Sequence, residues 1–225
     1  MFVNKIDRDL FRRLEGRIVE MGGASDKDSF EVIKERLVVS KIFSPREFAE
    51  EVIYVILASG FRQKTAKGIF DKIREYLDKD YDFLIKIFNN KNKINAIIDI
   101  WHNKEEKTKE FYSLKTDEDK LDFLGKLKHI GNITKNHLAR NLGINLVKYD
   151  IWIQRLAVGL YGKKYFDKID NGNLKPEIRI LCDKMFFELE QETKEKRGYI
   201  DVVLWKSCSL GLLKISSDGL VTSEL

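Results

Sequence analysis

Apolar residues recur at intervals of three to four positions along most of the chain, and this spacing is typical of amphipathic helices. The first stripe consists of Ile6, Leu10, Leu14 and Ile18, and the "MGG" at 21–23 closes it. The last helical segment reads "YIDVVLWKSC". The pattern therefore predicts an all-α protein.

The stretch "SPREF" carries the strongest helix-start signal in the chain. Ser44 suits the N-cap, Pro45 the first helical position and Glu47 the third. The helix that follows has apolar residues on more than one face, which favours a buried position. Gly60 marks its expected end.

Other local signals predict further helix starts and one hairpin. In the tail "LLKISSDGLVTSEL", a Ser-Asp-Gly turn between β-prone residues favours a small hairpin. The remaining helix starts place an acidic residue three positions after a hydroxyl side chain, or proline at the first helical position. They are Ser25 with Asp28, Thr116 with Asp119, and Pro176.

Composition narrows the class of protein. The 225 residues are 43% hydrophobic, enough for one large domain or two small lobes, and two prolines against 34% charged residues agree with helix nearly throughout. A net charge of +5 suits a polyanionic partner. Two cysteines exclude a disulfide framework or a four-cysteine cluster. Without a signal-peptide core or a long apolar run, we expect a soluble intracellular monomer, in the cytoplasm or nucleoid, with no membrane partner.

The stretch "HIGNITKNHLARNLGINLVKYDIW" combines a glycine turn, a basic helix and an aspartate. After a helix from Leu121, the turn "LKHIG" leads into a second helix, and Gly131 can bring backbone N–H groups to an anion at its N-terminus. Such contacts hold DNA without reading its sequence. The side chains expected to contribute are Lys128, His129, Asn132, Thr134, Lys135, His137 and Arg140.

This order of elements resembles the helix–hairpin–helix DNA glycosylases, the superfamily of endonuclease III and of 8-oxoguanine and alkyladenine glycosylases. Their hairpin typically reads Leu-Pro-Gly-Ile/Val-Gly and is followed by an aspartate at the start of a later helix. Here Leu127, Ile130 and Gly131 match the hairpin, and Asp150 falls at the place of that aspartate. The likeness covers most of residues 30–207, and its specific part is 121–157.

The resemblance implies a two-lobed helical fold with a cleft between the lobes, acting on double-stranded DNA. It implies a hairpin lobe at about 80–160, inserted between helices 1–79 and 161–225 that form the other lobe. A damaged or modified base would be turned out of the duplex, and Asp150 would stabilise the sugar cation or orient water as the base leaves. His137, on the second helix of the hairpin, could meet a phosphate or instead lie against the opposite helix. No cofactor is expected beyond a K⁺ or Na⁺ ion that the resemblance implies at the hairpin carbonyls.

The departures from the family pattern bear on the chemistry. Lys128 and His129 replace the usual Pro and Gly, and Ile133 stands where lyase members carry a Schiff-base lysine. The resemblance therefore implies hydrolysis alone. Lys148, two residues before Asp150, could bind a phosphate, remain solvated or serve as an unorthodox amine nucleophile.

Two further groups of residues are candidates for contacts with the DNA. In the loop "SGFRQKTA", Phe61 could wedge between bases while Arg62 or Gln63 probes the opposite base. The alternative for this loop is a helix C-cap with a buried phenylalanine. Four aromatic residues are candidates for a base pocket, or else belong to the core: Trp101, Tyr149, Trp152 and Trp205.

Three functions follow from these observations. The first is a monofunctional glycosylase that depends on Asp150. The second is a glycosylase with lyase activity from a displaced lysine such as Lys148. The third is a helix–hairpin–helix protein that binds DNA structure without catalysis. The identity of the base is open, because pocket residues come from several helices.

Overall fold

The computed structural model describes residues 1–24, 29–39, 41–170 and 173–225, without the side chain of Gln63. The regular structure of these residues consists of twelve α-helices, one 3-10 helix and one short β-hairpin. The expected all-α class is confirmed. The helices are α1 Arg8–Glu20, α2 Phe30–Val38, α3 Pro45–Ala58, α4 Gln63–Arg74, α5 Tyr81–Ile87, α6 Lys91–His102, α7 Lys104–Ser113, α8 Asp117–Lys126, α9 Asn132–Asn141, α10 Ile151–Tyr161, α11 Pro176–Thr193 and α12 Arg197–Ser209.

The predicted start of α3 is confirmed in detail. Ser44 Oγ accepts the N–H of Glu47, and the Glu47 carboxylate accepts the N–H of Ser44. The bond from the Ser44 N–H, together with bonds from Lys41 and the Ser44 hydroxyl, lowers the pKa of Glu47 to about 2. The predicted start of α8 is confirmed as well, since Thr116 Oγ1 accepts the N–H of Asp119. The predicted pair of Ser25 and Asp28 lies outside the described residues.

Contacts between Cα atoms divide the chain into two units. Unit 1 consists of residues 1–39 and 145–225, and unit 2 of residues 40–144. The sequence led us to expect lobe boundaries at about 80 and 160. The difference arises because α3 packs against α4, α6, α7 and α9, so α3 and α4, which precede residue 80, share a core with the hairpin.

Unit 1 is organised around α12, which packs against α1, α2, α10 and α11. The stripe predicted for α1 is part of this core, since Leu10, Leu14 and Ile18 are buried. A 3-10 helix at Lys163–Lys168 follows α10. The predicted tail hairpin is confirmed as β1 Leu213–Ile215 paired antiparallel with β2 Val221–Ser223.

Unit 2 is organised around α3. Its apolar residues point to several faces and are completely buried, as the sequence predicted, and they include Val52, Ile53, Val55, Ile56 and Leu57. The helix ends at Ala58 with Ser59 as its C-cap, and Gly60 follows with φ +83°. Among the described residues, no helix has the length and apolarity that crossing a bilayer would need.

Candidate functional site

The predicted hairpin is a helix–turn–helix unit within unit 2. Helix α8 ends at Lys126 and α9 begins at Asn132, so the turn is "LKHIG" as expected. The N–H of Ile130 donates to the carbonyl of Leu127 over 3.1 Å, and both side chains are buried. Apolar anchors thus fix the turn from inside and leave Lys128 and His129 exposed.

His129 takes the left-handed conformation in this turn, with φ +65°. For a residue with a Cβ this conformation costs roughly 1–2 kcal/mol. Within the turn, the left-handed conformation falls on His129, at the position of the first glycine in the pattern Leu-Pro-Gly-Ile/Val-Gly.

Gly131 has an ordinary extended backbone, with φ −94° and ψ −178°. A Cβ added to it would meet Thr134 Oγ1 at 3.9 Å, which is ordinary van der Waals contact. The protein's own backbone and packing therefore do not require glycine at this position. What glycine does provide is an open approach to the N-terminus of α9.

The backbone donors at the predicted phosphate grip are those of α9 itself. The N–H of Gly131 donates to Thr134 Oγ1 over 2.7 Å. The first backbone bond of α9 runs from the Lys135 N–H to the Gly131 carbonyl over 2.8 Å. The donors at the start of the helix are therefore the N–H groups of residues 132–134, and the Thr134 hydroxyl lies at the exposed turn, where it bonds the Gly131 N–H.

Basic side chains surround this helix start. Lys128 is exposed, and the stem of Lys135 crosses α8 at Gly125, where a Cβ would lie 3.4 Å from Lys135 Cδ. Within the described part of the chain, neither lysine forms an ion pair. Asn132 is exposed, while Ile133 and His137 are partly buried on α9. The candidates between 128 and 135 are thus brought together around one helix end, whereas His137 lies further along α9 and Arg140 in its last turn.

Asp150 is the N-cap of α10 in unit 1. Its Oδ1 accepts the N–H groups of Trp152 over 3.0 Å and Ile153 over 3.3 Å. The residue is 8% exposed. One carboxylate oxygen is therefore fixed by the helix start, and the direction of the other is fixed with it.

The second oxygen of this carboxylate faces Lys148. Lys148 Nζ lies 3.3 Å from Asp150 Oδ2 and 5.8 Å from the centroid of the Trp205 ring. The side chain of Lys148 is 22% exposed. Lys148, Asp150 and Trp205 thus form one cluster, with a carboxylate and an ammonium group at the edge of the core of unit 1.

The aromatic candidates fall into both units. Tyr149 and Trp152 are partly buried against the core of unit 1, next to Asp150 in the chain. Trp101 belongs to unit 2, where it is 4% exposed and donates its indole N–H to Asp78 Oδ1 over 2.9 Å. Its surroundings are those of a core residue.

The loop after α3 holds Phe61 half-exposed. The ring is 41% exposed, makes an edge contact with Phe88 at 5.8 Å and lies 5.0 Å from Lys93 Nζ. Lys93 also donates to the Ser59 carbonyl over 2.5 Å, and burial lowers the pKa of this lysine. Arg62 is exposed at the N-cap of α4, and Gln63 is the first residue of that helix. The loop is thus anchored by Lys93 and Phe88, while Phe61 and Arg62 are exposed to solvent.

Three residues near Asp150 were missed by sequence reasoning. Asp201 Oδ2 accepts the N–H of Lys148 over 3.1 Å, Asp183 Oδ1 accepts the hydroxyl of Tyr149 over 2.6 Å, and Gln154 Nε2 donates to the Tyr149 carbonyl over 3.0 Å. A polar residue in an otherwise apolar helix segment was the available signal, since Asp201 interrupts "YIDVVLW".

Among the described residues, no three His, Cys, Asp or Glu side chains are grouped so that they could hold a metal ion. The two cysteines are buried, and burial raises the pKa of both thiols.

Comparison with solved structures places the fold. The 8-oxoguanine glycosylase/lyase of Methanocaldococcus jannaschii, in complex with a 15mer DNA containing 8-oxoguanine, is 21% identical with a TM-score of 0.65, over 90% of this chain and all of that one. A second structure of the 8-oxoguanine DNA glycosylase from that organism is 20% identical with a TM-score of 0.64, over 88% of this chain and 92% of that one.

A third similar structure comes from another organism. The 8-oxoguanine DNA glycosylase of Thermotoga maritima is 16% identical with a TM-score of 0.61, over 88% of this chain and 94% of that one. No family model and no curated protein matches the chain. At these identities the likeness establishes the fold, and the chain therefore has the helical fold of these glycosylases.

Proposed function

We propose that this chain is a DNA glycosylase that turns a damaged or modified base out of double-stranded DNA and hydrolyses its N-glycosidic bond. The observation that carries the proposal is the fixed carboxylate of Asp150, whose Oδ1 caps α10 while Oδ2 is directed to Lys148. The fold shared with solved glycosylases and the lysines around the start of α9 support it. The protein acts as a monomer on intracellular DNA.

The chemistry needs one well-placed anion. When the C1′–N bond breaks, its electron pair leaves with the base and the sugar gains cationic character. The Asp150 carboxylate stabilises that cation and orients the water that attacks C1′, which leaves an abasic sugar. The N-terminus of α9, with Lys128 and Lys135, binds phosphates of the DNA backbone. A K⁺ or Na⁺ ion held by the backbone carbonyls of the hairpin turn would supply further positive charge there.

The loop and the aromatic residues have proposed roles in the same reaction. Phe61 enters the stack from the minor groove, with Arg62 and Gln63 beside it, because its ring is half-exposed on an anchored loop. Tyr149, Trp152 and Trp205 line the base pocket, since they lie next to Asp150 in the chain or against Lys148. Trp101 has no part in this proposal.

Base release from a panel of duplexes tests the proposal. Each duplex carries one class of base, namely 8-oxoguanine, an alkylated purine, a deaminated base or a bulky modified pyrimidine, and released bases are identified by mass spectrometry. The 8-oxoguanine duplex comes first, because the similar structures are named for that base. We expect release from at least one class, followed by strand breakage only on alkali treatment.

Asp150→Asn is the matched variant for this assay. It keeps an oxygen that can cap α10 but removes the charge, and loss of such transition-state stabilisation lowers the rate by about 10²–10³-fold. DNA binding should remain. If no base is released from any duplex while binding is tight, the chain is a DNA-structure-binding protein instead.

A second candidate function is favoured by one distance. Lys148 Nζ lies 3.3 Å from Asp150 Oδ2, so an amine stands beside the carboxylate although Ile133 occupies the usual lysine position. A neutral amine attacking C1′ would form a Schiff base after ring opening and permit strand cleavage by β-elimination. Borohydride trapping of a covalent adduct, lost in Lys148→Ala, would establish this lyase in place of simple hydrolysis.

A further inference from the structure

The connector at 145–150 carries Lys148 and Asp150 and lacks regular secondary structure. Hydrogen bonds nevertheless attach it to neighbouring helices at several positions. At its start, Asn145 Oδ1 accepts the N–H of Gly198 at the beginning of α12 over 2.9 Å. Val147 is buried in the core of unit 1. The connector is therefore attached to the unit before it reaches its charged residues.

The peptide groups on both sides of Lys148 are fixed. Its N–H donates to Asp201 Oδ2 over 3.1 Å, and its carbonyl accepts the N–H of Asp150 over 2.6 Å. Asp201 lies on α12 and is 1% exposed. A buried carboxylate on α12 thus holds the backbone of the residue whose ammonium faces Asp150.

Tyr149 is held at both ends. Its hydroxyl donates to Asp183 Oδ1 on α11, and its carbonyl accepts from Gln154, a completely buried residue on α10. Burial, and then the bond to Asp183, raise the pKa of the tyrosine hydroxyl, so it remains a donor.

Asp183 is held in turn by two arginines. Arg179 Nε and Arg197 Nη1 lie 3.6 Å from its two carboxylate oxygens. Arg179 also lies 5.7 Å from the Tyr149 ring centroid. The tyrosine that precedes Asp150 is therefore fixed through a chain of charged groups on α11 and α12.

Burying these carboxylates costs free energy, and packing alone does not explain why they are present. Burying a carboxylate such as Asp201 requires desolvation, and an apolar side chain of similar size commonly gives equal or greater stability. The helices that meet here already bury Ile153, Leu156 and Val203 against one another. What the carboxylates add is a fixed position for the backbone of residues 148–150.

We propose that Asp201 and Asp183 are positioning residues, which hold the connector so that the Lys148–Asp150 pair is set before DNA arrives. This inference rests on the proposed glycosylase function, because it is the sugar cation that Asp150 would meet. Stabilisation of a developing charge depends on preorganised groups, and displacements of a fraction of an ångström weaken it.

Two DNA duplexes separate positioning from mere folding. One carries a pyrrolidine abasic nucleotide, whose protonated ring nitrogen imitates the sugar cation, and the other carries the neutral tetrahydrofuran analogue. The ratio of the two dissociation constants reports how well an anion is placed at the sugar, whichever base is the substrate. For the unaltered protein we expect the cationic duplex to bind at least about tenfold tighter, a typical contribution of one close charge pair.

The variants then assign the effect. Asp201→Ala should lose most of this preference, whereas Asp201→Asn, which retains an acceptor for the Lys148 N–H, should restore it. Tyr149→Phe removes only the hydroxyl that Asp183 binds and should lower the preference in part. Asp7→Ala, which removes an aspartate that accepts the Leu10 N–H in the same unit, is the matched control and should leave the ratio unchanged.

Each outcome has one meaning. If the unaltered protein shows no preference for the cationic duplex, the proposed function fails. If the preference exists but Asp201→Ala and Tyr149→Phe both retain it, the positioning role fails and the proposed function stands. Should Asp201→Ala not fold, as circular dichroism would reveal, Tyr149→Phe and Asp183→Ala decide the question on their own.

Discussion

In the hairpin, the ammonium groups of Lys128 and Lys135 have no ion-pair partner among the described residues, whereas on the connector Lys148 and Asp150 pair with each other. The hairpin also contains a residue with a positive φ, His129, while the connector is fixed by bonds from three helices. The hairpin leaves its positive charge to be neutralised by a ligand. The connector is held in a fixed geometry without a ligand.

The contrast follows from what each region is proposed to do. Phosphates bring their own negative charge, so a binding surface gains affinity from cations that nothing inside the protein neutralises. A catalytic carboxylate gains from an environment that need not rearrange when charge develops. The hairpin therefore suits binding because its charges are left unneutralised, whereas the connector suits chemistry because its charges are already held in place.

The largest effect is expected from the lysines of the hairpin. Replacing both Lys128 and Lys135 by alanine should weaken DNA binding about 10–100-fold at moderate salt, because two phosphate contacts are lost. Each lost contact should also reduce the slope of log affinity against log salt concentration by about 0.9. Fluorescence anisotropy over a salt series measures both quantities. Lys5→Ala with Lys214→Ala removes the same charge from lysines already paired in unit 1. An equal loss there would show that net charge, not the hairpin, binds DNA.

The next effect concerns charges that the protein neutralises itself. Glu15 accepts the Tyr199 hydroxyl and the Arg12 guanidinium, and it lies 3.3 Å from Lys34 Nζ. Glu15→Gln should lower the free energy of unfolding by about 2 kcal/mol, as expected for a charge-assisted network. Urea denaturation measures it. Glu20→Gln is the control, because its exposed pair with Arg17 should contribute roughly 0–1 kcal/mol.

The same network predicts a dependence on pH. Burial opposes ionisation of Glu15, but the bonds from Tyr199 and Arg12 outweigh it, and the pKa lies below the ordinary value of 4.5. Its contribution to stability is therefore present above that value and is lost as the pH falls through the lowered pKa. Glu15→Gln should flatten this part of the stability profile, and an unchanged acid limb would contradict the assignment.

A smaller effect is expected from Gly131→Ala. A Cβ at this position meets no close atom, so stability should change by less than about 1 kcal/mol. DNA affinity should nevertheless fall about fivefold, because the methyl group occupies the path by which a phosphate reaches the helix start. Gly16→Ala is the control, since a Cβ there also has open space but lies on α1. Unchanged affinity in Gly131→Ala would show that access for a phosphate does not explain the glycine at this position.

The smallest effect is expected at His129. His129→Gly should stabilise the protein by about 1 kcal/mol, because the relief of the left-handed conformation exceeds the extra entropy that glycine loses on folding. Thermal unfolding measures the gain. Lys194, which has φ +60° after α11, offers the same substitution in unit 1. If Lys194→Gly stabilises and His129→Gly does not, the histidine contributes an interaction that offsets its strain.

The local features of this fold could be predicted from the sequence. Ser44 with Glu47, Thr116 with Asp119 and the N-cap Asp150 are signals within three residues, and the structure has them where the pattern placed them. Hydrogen bonds of this range depend on the local backbone alone, so tertiary context has little chance to override them.

The features that depend on distant residues could not be predicted. The bonds to Lys148 and Tyr149 come from positions 53 and 34 residues further along the chain, and no single sequence shows which helices meet. The left-handed position was missed for another reason. Glycine was expected to supply the conformational freedom, but the strained residue is His129 and Gly131 is extended.

The order of the two units along the chain has a consequence for synthesis on the ribosome. Unit 2 is one continuous segment, 40–144, whereas unit 1 joins 1–39 to 145–225, and its bond between Glu15 and Tyr199 spans 184 positions. Unit 2 can therefore acquire its native contacts first, whereas the apolar stripe of α1 cannot pack until α12 has left the ribosome. During that interval the apolar faces of α1 and α2 lack the helix against which they pack.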